Sequence, residues 1–159
     1  MCTRHVIVQM LTDVVFGCLQ QVAPDLVPAE GASCLWNLTF RGETDRGSNE
    51  STLFAVTAVT NGGTGARPNK DGLSATAYPS GVKGTPVEIN ESVAPVIFWR
   101  KEVRPDSGGA GEFRGGLGQV LEIESAIDRD FEMLAAFDRI DHPARGRNGG
   151  QNGDNGGVF

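Results

Sequence analysis

The sequence is poor in the residues that build metal sites and disulfide frameworks. Its two histidines, His5 and His142, lie far apart and form neither an HxH nor an HxxxH pair. Its three cysteines, Cys2, Cys18 and Cys34, are widely spaced and include no CxxC pair. We therefore expect no metal site and no disulfide scaffold in this chain. We interpret Cys18 and Cys34 as small core residues with reduced thiols, which fits the cytoplasm.

The chain also lacks an excess of basic residues and any long apolar run. It has 14 Lys and Arg against 20 Asp and Glu, and its net charge is −6. A duplex-DNA-binding protein needs a basic face for the phosphates, so we expect no nucleic-acid partner. The apolar N-terminal stretch is broken by Gln9, Thr12 and Asp13. We expect neither a transmembrane helix nor a signal peptide there, and no membrane partner.

Glycine, in contrast, is abundant. The 22 glycines among 159 residues amount to about twice the ordinary usage. The length predicts a single domain, which we place at residues 1–145. The glycine-rich segment 146–159 has few apolar residues to pack, and we expect a truncated, flexible tail. Residues 61–84 contain six glycines and two prolines with no sustained period, which predicts a functional or disordered loop.

The N-terminal segment predicts one amphipathic helix over residues 4–22. Apolar residues recur there at spacings of three and four, and polar residues such as Gln9 and Asp13 occupy the opposite side. Pro24 ends the pattern. We interpret the apolar stripe as core that covers a sheet rather than as a cofactor site.

After this helix the apolar period changes to two, which predicts strands. The strand segments are 34–42, 52–60, 85–91, 95–104, 119–125 and 131–139. Segment 52–60 is apolar on both sides and predicts a central strand. Segment 131–139 also fits a helix, but its neighbours favour a strand. The fold class expected is α+β, with the N-terminal helix packed on mainly antiparallel β-structure and long Gly-rich loops.

The segment "RPDSGGAGEFRGGLG", residues 104–118, fails the specific tests for a nucleotide-binding loop. It has no Lys followed by Ser or Thr, and the third glycine of a G-x-G-x-x-G motif is replaced by Arg114. Its "DSGG" predicts a turn in which Asp106 or Ser107 bonds backbone amides two residues on. Two interpretations remain: a tightly packed connection between strands, or a wall of an active site or subunit interface.

Arg114 is the residue of this segment with the most donors. In the first interpretation its guanidinium pins the loop by bonding Asp106, Glu91 or loop carbonyls. In the alternative it points into a cleft and holds an anionic substrate or intermediate.

Three blocks in the same order carry a family resemblance. They are "NGGTGARPNKDG" at 61–72, "GTPVEINESVAP" at 84–95, and the glycine-rich segment at 104–118. They resemble the C-terminal portion of the hydantoinase B/oxoprolinase family, which includes N-methylhydantoinase B subunits, 5-oxoprolinase and acetone carboxylase relatives. The flanks "DVVFGCLQQVAPDLVPA" and "DHPARGRNGGQNGDNG" are similar to that family too.

The resemblance implies a fragment or part of a hydantoinase B-type subunit, whose full enzyme opens rings such as hydantoins or 5-oxoproline with ATP hydrolysis. It implies a hydantoinase A-type partner that handles ATP, the missing N-terminal part of the B subunit, and in some members a divalent metal bound outside this region. Alternatives are part of an ATP-dependent ketone carboxylase subunit, or a non-catalytic β-rich scaffold or interaction module. The chain alone is expected to be inactive.

The sequence identifies no catalytic residue. The candidates for substrate binding or for organising the loops are Arg67, Asp71, Glu91, Asp106, Ser107 and Arg114. Because the family members are several hundred residues long, we expect this chain to expose surface that the full subunit buries, and to self-associate or be marginally stable. The apolar helix stripe and Trp99 are the sites where we expect this exposure.

Overall fold

The computed structural model describes residues 4–33, 35–45, 51–136 and 138–159. Their architecture is α+β with antiparallel strands, as predicted. The elements in chain order are α1 (Arg4–Leu19), a 3-10 turn (Pro24–Leu26), β1 (Leu35–Asp45), β2 (Ser51–Asn61), α2 (Val87–Val93), β3 (Val96–Val103), β4 (Gln119–Ser125) and β5 (Glu132–Ala136).

The strands form two antiparallel sheets. One has the order β2-β1-β5 and the other pairs β3 with β4. Segment 131–139 therefore forms a strand, as its neighbours indicated. The prediction that 52–60 is the central strand is wrong, because β1 lies between β2 and β5. The apolar residues of β2 are not all buried: Leu53 on its outer face is 78% exposed.

Both sheets contribute to one core. Phe40 at the middle of β1 is completely buried, and its ring meets the ring of Phe131 edge-on at a centroid distance of 5.3 Å. Leu38 and Ala58 are buried beside it, as alternation along β1 and β2 requires. The side chains packed around this centre are Phe54, Val56, Phe98, Leu121, Ile123 and Phe131.

Segment 85–91, predicted as a strand, forms most of α2 instead. Pro86 has no N–H to donate to a strand ladder, and it directly precedes the first helical residue. The helix closes with a hydrogen bond from the Ala94 N–H to the Asn90 carbonyl, and Pro95 follows. The alternating apolar residues do not mark a buried strand face, since Ile89 is 53% exposed while Asn90 is buried.

Helix α1 is oriented opposite to the expectation from its pattern. Its apolar side chains are exposed, whereas Gln9 and Asp13 on the polar side are buried. The prediction that the apolar stripe is core is therefore wrong for this chain, and the prediction that the stripe and Trp99 are exposed is confirmed. The interpretation of Cys18 as a core residue is also wrong, because its side chain is exposed. Cys34 lies outside the described residues.

The segment predicted as a flexible tail is packed rather than loose in this structure. The Gln151 N–H bonds the Ala110 carbonyl at 2.8 Å, and the Asp154 N–H bonds the Ser107 carbonyl at 3.0 Å. Few apolar residues are needed for this packing, because backbone groups make the contacts and glycines allow the close approach.

Candidate functional site

The glycine-rich segment 104–118 lies directly on segment 61–72. The Gly116 N–H bonds the Thr64 carbonyl at 2.8 Å, and the Gly72 N–H bonds the Arg114 carbonyl at 2.7 Å. A Cβ added to Gly63 would overlap the Gly116 carbonyl and lie 2.8 Å from the Gly116 Cα. Glycine is therefore required here because two backbones touch with no room for a side chain.

The carboxylate of Asp71 fastens the glycine-rich loop to the segment below it. It accepts a 2.8 Å hydrogen bond from the backbone N–H of Arg114. Arg67 supports the same turn by donating its Nε to the Asp71 carbonyl at 2.8 Å. These contacts tie the two signature blocks together at one edge.

Ser107 closes the base of the loop. Its hydroxyl donates to the Arg104 carbonyl at 2.8 Å and accepts from the Gly118 N–H at 2.9 Å. Asp106, the preceding residue, is exposed and has a φ of 56°, a left-handed conformation that Asp tolerates in turns. The "DSGG" turn thus uses the serine hydroxyl to hold the two ends of the loop together.

Glu91 and the Arg114 side chain do not take the predicted positions. The Glu91 carboxylate accepts the Phe98 N–H at 2.8 Å and so joins α2 to β3 instead of reaching the loop. The guanidinium of Arg114 is exposed, and the described part of the chain gives it no ion pair or side-chain hydrogen bond. The predicted pinning by this guanidinium is therefore replaced by the bond between its backbone N–H and Asp71.

We expect Asp71→Ala to lower the free energy of unfolding by about 1 kcal/mol, because the Arg114 N–H loses a charged acceptor at a solvent-exposed site. The matched variant Arg114→Ala keeps the backbone N–H and should change the free energy by less than about 0.5 kcal/mol. Urea denaturation of both variants measures the difference. A larger loss for Arg114→Ala than for Asp71→Ala would show that the side chain, and not the backbone, fastens the loop.

The loops and sheets enclose a cavity of about 770 Å³. Its apolar wall includes Trp36, Phe40 and Phe113, and the glycine-rich loop forms another side. Of the six candidate residues, only Ser107 lines the cavity. The alternative in which Arg114 points into a cleft is not what the structure shows, because Arg114 is not among the lining residues.

A cluster of charged residues forms one end of the cavity. Arg139 Nη2 lies 2.8 Å from Asp13 Oδ2, and Arg139 Nη1 lies 3.4 Å from Glu30 Oε2. Arg145 donates its Nε to Glu30 Oε1 at 2.8 Å and its backbone N–H to Glu30 Oε2 at 3.1 Å. We call Asp13, Glu30, Arg139 and Arg145 the buried ion cluster, although the Arg145 side chain is itself 74% exposed.

The two acids of the cluster titrate in opposite directions. Burial raises the pKa of Asp13 above its usual value, and the Arg139 charge opposes this only in part. Burial also acts to raise the pKa of Glu30, but the hydrogen bonds from Arg145 and the charge of Arg139 together outweigh it. The pKa of Glu30 therefore lies below its usual value, and its ionised form is the one that the fold holds.

Sequence reasoning missed this cluster. Its members are separated by more than a hundred positions between Asp13 and Arg139, so no local spacing connects them. The one available signal was the presence of Asp13 as the single charged residue between positions 7 and 22 of an apolar helix.

The described lining of the cavity includes no Cys, His, Lys or Tyr side chain, and the Ser107 hydroxyl is occupied by backbone groups. This part of the chain therefore provides a binding wall and no complete nucleophile–base pair. In the described ranges, no group of three or more His, Cys, Asp or Glu residues is placed to hold a metal ion. None of the helices in those ranges has the length and apolar character needed to cross a membrane.

Comparison with known proteins gives consistent matches. The model of the family described as hydantoinase B/oxoprolinase matches residues 1–159. The chain is 36% identical over 149 residues to 5-oxoprolinase of Dictyostelium discoideum, which covers 93% of this chain and 10% of that protein. It is 34% identical over 120 residues to caprolactamase subunit beta of Pseudomonas jessenii, which covers 73% of this chain and 20% of that subunit.

A solved structure shares the fold of this chain. Nucleotide-free acetone carboxylase, from a study of ATP-dependent acetone carboxylation, superposes with a TM-score of 0.57 at 26% sequence identity. The match covers 72% of this chain and 15% of that chain. This chain thus spans between about a tenth and a fifth of the length of the relatives described.

Proposed function

The chain belongs to the hydantoinase B/oxoprolinase family, and we propose that it forms part of a B-type subunit that opens cyclic amide or imide rings with ATP hydrolysis. The observation that carries this proposal is the match to 5-oxoprolinase, which extends over 93% of the chain and therefore includes all three signature blocks. Hydantoins, 5-oxoproline and related lactams are the substrate class.

The chemistry requires activation of a stable amide. In the proposed reaction, ATP transfers a phosphoryl group to the carbonyl oxygen of the ring, water attacks the carbon, the C–N bond breaks and phosphate leaves. We assign ATP to an A-type partner subunit in the cytoplasm. This chain contributes the cavity wall, in which apolar side chains and backbone amides shield the ring from bulk water.

A chimera tests the proposal. In caprolactamase subunit beta, the region that matches this chain is replaced by the sequence of this chain, and the product is assayed with the remaining components of that enzyme. We expect lactam opening that depends on ATP, measured as joint release of phosphate and the ring-opened acid. The isolated 159-residue chain should show neither activity, because it lacks a nucleophile–base pair in the described cavity.

Two variants of the chimera serve as controls. Gly118→Ala, with room for a Cβ, should retain turnover, and Gly63→Ala, with none, should lose it. A folded chimera without coupled turnover would contradict the proposal, as would ATP-independent hydantoin opening by the chain alone.

The second candidate is ketone carboxylation, which the likeness to acetone carboxylase favours. The same chimera distinguishes it. Incorporation of labelled bicarbonate into an acid-stable product in the presence of acetone and ATP, without lactam opening, would favour the carboxylase. A non-catalytic scaffold predicts neither product in any combination.

A further inference from the structure

The outward face of α1 is apolar and unpaired in this chain. Ile7, Leu11, Val14 and Cys18 follow one another at spacings of four, three and four, which is the spacing of a helix-to-helix seam. All four side chains are exposed, Ile7 and Val14 by 60% each. The exposed apolar residues beside this seam are Val8, Val15 and Leu19.

The inward face of the same helix is already committed. Gln9 Oε1 accepts the Ser80 N–H at 3.3 Å, Asp13 pairs with Arg139, and the Phe16 ring stacks on Tyr78. The helix cannot rotate to bury its apolar face without breaking the buried ion cluster. The apolar seam must therefore be covered from outside.

We propose that two copies of this chain associate through the outward face of α1, helix against helix. The inference depends on α1 alone and is independent of the proposed function. In such a two-fold pair each seam meets an identical seam, so a face that is complementary to itself is required. The 4-3-4 spacing supplies this complementarity, since each apolar side chain enters a gap between those of the facing helix.

Charge favours a second copy over a different partner. The chain has a net charge of −6, so two copies repel over most of their surfaces. Between positions 7 and 22 the single charged residue is Asp13, and it is buried. The α1 face is thus a surface on which two copies can approach without like charges meeting.

The size of the face is adequate for a stable pair. The exposed apolar side chains of α1 present an area on the order of 600 Å², so pairing would bury about 1,200 Å² in total, the lower bound for specific interfaces. A lipid surface is a poorer occupant, because helices that lie on membranes flank the apolar face with Lys and Arg, and α1 has none between positions 7 and 22.

Sedimentation equilibrium of the full chain over a wide concentration range tests the proposal. We expect a reversible monomer–dimer equilibrium for the wild type. Leu11→Glu should raise the dimer dissociation constant by about 30-fold or more, because each copy would bring an uncompensated charge to the centre of the seam. The matched control Gln21→Glu adds the same charge at an exposed position beyond the helix and should leave the constant within about threefold.

A second surface is tested in parallel. Trp99 is 61% exposed on β3, and Trp99→Ala should leave the dimer unchanged. A monomeric wild type at every concentration would overturn the proposal, as would dissociation by Trp99→Ala but not by Leu11→Glu. Thermal melts of Leu11→Glu check its fold, which should be intact because the side chain is 56% exposed in a single copy.

Discussion

Glu30→Gln should lower the free energy of unfolding by about 3 kcal/mol at neutral pH, the loss typical when one partner of a buried ion pair is removed. The Glu30 side chain is 4% exposed, and its carboxylate is the acceptor shared by Arg139 and Arg145. Glutamine preserves the shape but removes the charge, so the buried Arg139 keeps Asp13 as its one acidic partner. Urea denaturation at neutral pH measures the loss.

The loss for Glu30→Gln should depend on pH. The pKa of Glu30 is lowered in the folded state, so its contribution to stability is present above the usual carboxyl pKa and is lost as pH falls through the lowered value. The difference between wild type and Glu30→Gln should therefore shrink as the solution becomes acidic. The measurement is the free energy of unfolding in urea from neutral pH to below pH 4, or about the unperturbed carboxyl pKa.

Asp13→Asn is the matched comparison, and its pH dependence should have the opposite sign. The pKa of Asp13 is raised in the fold, so its contribution is present below the usual carboxyl pKa and is lost as pH rises through the raised value. The advantage of wild type over Asp13→Asn should be greatest in acid and smaller at neutral pH. Two differences that change in the same direction with pH would contradict this assignment of the cluster.

Gly63→Ala should destabilise the chain by about 3 kcal/mol, at the upper end for overpacked sites. The added Cβ would overlap the Gly116 carbonyl, which is backbone and cannot rotate away as a side chain can. Relief requires the two segments to separate, and this breaks the bond between the Gly116 N–H and the Thr64 carbonyl. The thermal midpoint and the urea midpoint should both fall.

Gly118→Ala is the control for the loss of glycine itself. Its added Cβ would meet the Ser107 Oγ at 3.8 Å, an ordinary contact, so stability should change by less than about 1 kcal/mol. Equal losses for the two variants would mean that chain flexibility, rather than the backbone contact at Gly63, explains the requirement for glycine.

The sequence predicted the elements of the fold better than their neighbours. Periodicity located α1, β1, β3 and β4, but the helical period shows where the two faces of α1 lie and not which one is buried. Asp13 decided that question through a guanidinium more than a hundred residues away, which no local pattern encodes. In α2, the apolar alternation suggested a strand, and the fixed geometry of Pro86 prevailed.

The signature blocks predicted the place of the candidate site but not its contacts. Segments 61–72 and 104–118 do meet, and their glycines explain the close approach. Arg114 was singled out because a guanidinium has many donors. The structure uses its backbone N–H instead, because Asp71 lies beneath the main chain rather than beside the side chain.

The buried ion cluster also imposes an order on synthesis. A ribosome releases Asp13 and Glu30 long before Arg139 and Arg145 emerge, so during translation the two acids have no cationic partners from the cluster. The inward face of α1 cannot dock until that late segment is free. The N-terminal helix therefore waits in the nascent chain with both faces uncovered, and this period of translation is when a holding chaperone would have the most surface to bind.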